Sequence, residues 1–131
     1  MTMDVGTSAA DEAAAHAATE RALKVYFDAR PGRPFIEKYF GVVDAWARSH
    51  GIPNDQILMG EFGALKTDRR YAGAAAPDRA RYIADVRRSA EAYGFPWALW
   101  NLFDGMGIMD ERTRDLDPAI IDALGLNTSE G

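Results

Sequence analysis

Ile57-Leu58-Met59-Gly60-Glu61-Phe62-Gly63 is a short apolar run that stops at an acid held between two glycines. Such a run reads as a buried strand of a parallel sheet that presents a carboxylate at its C-terminal end. A second unit follows, Phe95-Pro96-Trp97-Ala98-Leu99-Trp100-Asn101-Leu102-Phe103, with a helical stretch in between. Strands alternating with helices mean an α/β fold with parallel strands and right-handed crossovers.

Working outward, the segment from Phe35 to Ser49 repeats Phe35, Ile36, Tyr39, Phe40, Val43 and Trp46 at three- and four-residue spacing. That spacing predicts an amphipathic helix with Trp46 in the core, stopped by Gly51 and Pro53. The first strand is expected over 57–62 and a long loop over 64–76. Pro77-Asp78 opens a helix to Tyr93 with Tyr82, Ile83, Val86, Ala90 and Tyr93 inside, ended by Gly94. The second strand is expected over 97–103, then a Gly- and Asp-containing loop to Asp117. A short helix runs from Pro118 to Leu124, stopped by Gly125.

Ahead of this, residues 1–8 are expected to be disordered, and Asp11 to Asp28 forms an Ala-rich helix. Arg30-Pro31-Gly32-Arg33-Pro34 is a break. The order is α–α–β–α–β–α, in an N-terminal segment 1–32, a main portion 33–126 and a tail 127–131. Two strands cannot close a sheet and leave edges open to pairing. The chain is therefore expected to be incomplete, or to pair with itself or with another fragment.

Composition narrows the function classes. In 131 residues, 15 basic and 20 acidic side chains give a net charge of −5. Asp68 interrupts the nearest basic cluster, Lys66 with Arg69-Arg70, so a nucleic-acid surface is not expected. No apolar run approaches the roughly 20 residues of a membrane span, and the acidic, Ala-rich start is no secretory signal; localisation stays open. With no cysteine, disulfides and Cys-ligated metals are excluded.

Glu61 is the candidate catalytic residue, because a carboxylate ending a buried strand suits the site end of a parallel sheet. The alternative is a structural ion pair with Arg69 or Lys66. Trp97 and Trp100 lie three apart and so face opposite sides of a strand. Trp100, nearer the C-terminal end, is the expected exposed platform for the apolar face of a sugar ring; both being core is the alternative. Trp97 and Asn101 join Trp100 as candidate substrate-binding residues. Asp104, Asp110, Glu111, Asp115 and Asp117 make an acidic loop whose spacing fits no EF-hand, so no metal and no cofactor is expected.

Gly60-Glu61-Phe62-Gly63 and Gly94 to Trp100 together resemble family 5 glycoside hydrolases, the cellulase-like (β/α)8 barrels. The likeness continues through Gly105-Met106-Gly107-Ile108-Met109-Asp110 and Ala123-Leu124-Gly125-Leu126. The helix end Trp46-Ala47-Arg48-Ser49-His50-Gly51-Ile52-Pro53 also resembles the one that precedes the family's nucleophile strand. The resemblance covers roughly residues 35–126. It implies a partial TIM barrel made of the last strands and helices, since a whole barrel takes about 250 residues. It further implies retaining hydrolysis of a β-linked polysaccharide or oligosaccharide, with Glu61 as nucleophile and Trp100 stacking on the sugar at the cleaved bond.

The chain departs from the family in one decisive respect. The family's acid/base glutamate follows Asn, and none of Glu12, Glu20, Glu37, Glu61, Glu91, Glu111 or Glu130 does. His16 and His50 sit in or at the end of helices and are not read as catalytic. The nucleophile half of a two-carboxylate site is expected without the acid half, so the chain alone should have no useful glycosidase activity. A non-catalytic carbohydrate-binding protein and a small α/β interaction protein are the alternatives.

Overall fold

The computed structural model describes residues 8–67 and 72–126. The chain divides into two compact units, Met1–Gly32 and Arg33–Gly131. The expected disorder of residues 1–7, the tail 127–131 and the pair Arg69-Arg70 lie outside the described residues.

The first unit carries α1, Ala9–Asp28. Ser8 caps it by accepting the Asp11 amide, and Asp11 and Glu12 occupy the first turn, where negative charge suits the helix dipole. No residue of α1 is buried.

The second unit runs α2 (Arg33–Ser49), a 3-10 turn (Asn54–Gln56), β1 (Met59–Phe62), α3 (Ala76–Tyr93), β2 (Trp97–Leu99) and α4 (Pro118–Ala123). β1 and β2 form a two-stranded parallel sheet with α3 as the crossover. Pro34 sits in the first turn of α2, where its missing N–H costs nothing, so the helix starts before Phe35. Gly94 ends α3 at φ 78°, a left-handed conformation natural to glycine, and the Phe95 amide then bonds the Ala90 carbonyl at 3.0 Å. No described helix is long and apolar enough to cross a membrane.

The strands are shorter than their apolar runs. Ile57 closes the 3-10 turn and Leu58 is exposed, so β1 begins at Met59. β2 ends at Leu99 because the chain then pairs locally: Ile108 and Met109 donate to the Asn101 and Leu102 carbonyls at 3.3 and 2.9 Å. The register matches Met59 to Trp97 and Phe62 to Leu99, so β1 holds one extra residue. That bulge lets Met59 and Phe62, three apart, both join Trp97 and Leu99 against the helices. Ala98 and Trp100 are exposed on the other side.

The core consists of Phe62, Ile83, Ala84, Val86, Ile120, Ala123 and Leu124, with Ile36, Phe40, Met59, Trp97 and Leu99 packed on it. Two residues expected inside are instead exposed. Trp46 is 50% exposed and Tyr82 42%. On α2 the inward residues are Ile36, Phe40, Asp44 and Ala47, while Phe35, Tyr39, Val42 and Trp46 lie about a third of a turn round the axis and are exposed. The apolar arc of α2 is wider than the surface α3 offers it, and only one side is covered. On α3, Arg79 and Ser89 occupy the inner face along with Ile83, Val86 and Ala90. Asp44 is kept inside by polar partners: it accepts from Arg48 and from Asn54 Nδ2 at 2.7 Å, and the same Asn54 amide reaches the Tyr93 carbonyl at 2.8 Å.

Candidate functional site

Glu61 lies in β1 one residue before its end, and Trp100 directly follows β2. Parallel pairing puts both at the same end of the sheet, and the Trp100 amide donates to the Phe62 carbonyl at 2.8 Å. Glu61 is exposed and Trp100 is 50% exposed. Among the described residues Glu61 enters no ion pair, and Lys66 does not pair with it. Arg69 lies outside the described residues.

The two strand exits are held very close. A Cβ placed on Gly63 would meet the Trp100 carbonyl oxygen at 2.1 Å, so only glycine fits here without displacing the chain. A little further on, the Lys66 amide donates to the Gly105 carbonyl at 2.8 Å.

Trp97 does not join Trp100. It packs edge-on to Phe62, with ring centroids 5.8 Å apart, and its indole N–H reaches Glu91 Oε1 at 3.3 Å. Its place on the helix side follows from its register opposite Met59. Asn101 is partly buried; its Nδ2 donates to Asp104 Oδ2 at 2.9 Å, while its Oδ1 is buried without a partner among the described residues. The Trp100–Asn101 peptide bond is cis.

The acidic loop after β2 is organised by its own backbone. Asp104 accepts the Met106 amide at 3.0 Å, and its own amide donates to Glu111 Oε1 at 3.1 Å. The Met106 amide, helped by Asn101 and Lys66, holds the Asp104 carboxyl below its usual range. The Thr113 and Arg112 amides do the same for Asp110. Carboxylates so satisfied serve as turn caps, and no described group of three or more His, Asp or Glu is spaced to hold a metal ion. Beside this loop an open depression of about 350 Å³ is lined by Lys66, Ile108, Asp110 and Asp117 among others; neither Glu61 nor Trp100 lines it.

Two of the other glutamates are occupied on helices. Glu37 pairs with Arg33 on α2, and Glu91 with Arg87 on α3. His16 faces Glu20 on α1, and His50 lies against the Trp46 carbonyl at the end of α2. Within the second unit, none of Glu37, Glu91 and His50 stands at the strand exits.

With this geometry in view, comparison with solved structures places the fold. An endoglucanase matches with a TM-score of 0.60 and 30% identity over 71% of this chain and 28% of its own. A hyperthermophilic endo-β-1,4-glucanase, solved with substrate, matches at 0.57 and 33%, over 71% and 27%. The cellulose synthase subunit Z of Clostridioides difficile matches at 0.61 and 32%, over 70% and 28%. The two strands and their helices thus have the fold of a piece of a cellulase-like barrel. The likeness is structural: no family model and no curated protein matches the chain. The chain spans less than a third of the length of these structures.

One residue at the strand exits escapes a motif-based reading. Arg79, in the first turn of α3, is 2% exposed. It bonds the Ala64 carbonyl beyond β1, the Met106 and Gly107 carbonyls beyond β2, and the Asp117 carboxylate that caps α4. Burial lowers its pKa from the usual arginine value, and the Asp117 charge works against that. The available signal was its spacing: Arg79, Ile83, Val86 and Ala90 share one helical stripe, and a charge inside an apolar stripe marks a buried, partnered group.

Proposed function

We propose that this chain is the C-terminal part of a cellulase-like retaining β-glycosidase, with Glu61 as its nucleophile and Trp100 as the platform under the sugar. The observation that carries this is the pairing of Glu61 and Trp100, both exposed, at the same end of two adjacent parallel strands joined by the Trp100–Phe62 hydrogen bond. Strand C-terminal ends are where (β/α)8 enzymes build their sites. The endoglucanase neighbours supply the substrate class, a β-linked glucan or related polysaccharide.

Retaining chemistry needs a second carboxyl group about 5–5.5 Å from the nucleophile, kept protonated to release the leaving oxygen. Glu37 and Glu91 are engaged on helices, and the Glu111 carboxylate caps the Asp104 amide. On this reading the acid would come from further β/α units. Those units would also cover the open side of the sheet and the exposed α2 stripe of Phe35, Tyr39, Val42 and Trp46, a patch of the kind that marks an interaction surface.

The test is binding and hydrolysis of a soluble β-1,4-gluco-oligosaccharide by the chain and two variants. The wild-type chain is expected to bind without hydrolysing. Trp100→Ala is expected to weaken binding about three- to tenfold, the worth of a lost aromatic contact. Unchanged binding in Trp100→Ala would remove the platform. Hydrolysis that disappears in Glu61→Gln would show that this chain, or a second copy of it, supplies the acid.

A further inference from the structure

We propose that Arg79 is the positioning residue of this site: its guanidinium fixes the spacing between the strand exits that carry Glu61 and Trp100. The role in sugar recognition rests on the reading of those two residues given above; the clamp itself does not.

The argument begins with donor geometry. A guanidinium offers five N–H groups in a rigid planar fork. Arg79 Nε donates to the Ala64 carbonyl at 2.9 Å, Nη2 to the Met106 and Gly107 carbonyls at 2.9 Å each, and Nη1 to Asp117 Oδ2 at 3.2 Å. Ala64 stands three residues beyond Glu61, and Met106 six beyond Trp100. One rigid plane therefore holds both exits and the cap of α4 at once.

An arginine kept only to pair with Asp117 would need one of these bonds. Three of the four go to backbone carbonyls, on two different loops. Backbone carbonyls cannot rotate away as side chains do, so their positions are set relative to one another. The exits also touch directly, through the Trp100–Phe62 and Lys66–Gly105 hydrogen bonds and the close contact at Gly63. Arg79, itself 2% exposed, holds the same two loops from the buried side.

Lysine at this position keeps the charge but is a point donor on a flexible stem, without the planar fork. Arg79→Lys is therefore the informative variant, read by amide hydrogen exchange. The Trp100 and Lys66 amides report the exit end of the sheet. The Met59 amide, bonded to the Pro96 carbonyl at 2.9 Å, reports the opposite end. Exchange at Trp100 and Lys66 is expected to speed up about tenfold more than at Met59, the scale of one lost bond to a charged donor. Asp117→Asn, which disturbs one of the four bonds, gives the same pattern more weakly and serves if Arg79→Lys does not fold. Equal acceleration at both ends would mean general destabilisation and would overturn the proposal. In parallel, β-1,4-gluco-oligosaccharide binding is expected to weaken in Arg79→Lys. If the wild-type chain binds no sugar while the exchange pattern appears, the clamp stands and the sugar reading fails.

Discussion

Gly63→Ala tests the strand-exit geometry most directly. The added Cβ would start 2.1 Å from the Trp100 carbonyl oxygen and 3.3 Å from its carbon. Ordinary contact begins at 3.4 Å, so the two chains must separate by about 1.3 Å. Neither side can give cheaply. The Trp100 amide is bonded to Phe62 at 2.8 Å, and the chain just beyond it is held by the bonds from Ile108 and Met109 to Asn101 and Leu102. A separation of that size breaks the 2.8 Å bond. Overpacking costs about 1–3 kcal/mol, and the lost backbone hydrogen bond about 0.5–1.5 kcal/mol more. We expect a loss of roughly 2–4 kcal/mol, a large share of a typical domain's roughly 5–15 kcal/mol. The assay is urea unfolding followed by tryptophan fluorescence. Gly60→Ala is the control, because it lies in the same strand and its Cβ would meet nothing within 4 Å. It should stay within about 0.5 kcal/mol of wild type. Equal losses in the two variants would refute the close approach of the exits.

Two further predictions concern the buried face and the acidic loop. Ser89 is fully buried on α3 and its hydroxyl has no partner among the described residues, so Ser89→Ala should stabilise the chain by about 0.5–1.5 kcal/mol in the same unfolding assay. A loss of stability there would show that the hydroxyl is bonded. Asp104 and Asp110 have folded pKa values held below the usual aspartate range, chiefly by the Met106 and Thr113 amides respectively. Their contribution is thus complete above the unfolded value of about 3.9 and is lost as pH falls through the lower folded values. Carboxyl-carbon NMR titration should place both midpoints below those of the unfolded chain; midpoints at or above it would refute the turn-cap assignment.

The helices and the strand order could be read from the sequence because each rests on local signals. Gly94 and Pro118 mark helix ends by backbone preference alone, and the apolar runs before Glu61 and Trp100 mark the strands. What the sequence could not show depends on what each element meets. Trp46 belongs to the apolar arc of α2, but periodicity does not say which part of a wide arc a neighbour covers. Trp97 and Trp100 were separable by strand alternation, whereas the bulge that turns both Met59 and Phe62 inward breaks that alternation. Arg79 carried no motif, since three of its four bonds go to backbone carbonyls whose positions exist only in the fold. The candidate site itself rests on Glu61 and Trp100, which the sequence set at two strand ends and the parallel pairing brings together.

The distribution of support around those two residues bears on what the chain can do. Several contacts within this chain fix their backbone: Gly63 against Trp100, the cross-exit hydrogen bonds, and the Arg79 fork on the buried side. A nucleophile at Glu61, as proposed, would be useful only when its support holds it in place, and these contacts give that support on the buried side. On the opposite side Ala98, Trp100 and Glu61 are exposed. A general acid is worth roughly 10²–10⁴-fold in rate, and exclusion of water strengthens every charge in such a site. Both would come from whatever covers the open side. On the proposed reading, adding a polypeptide that supplies the covering units should raise the hydrolysis rate while leaving the exchange pattern at the Arg79 clamp unchanged.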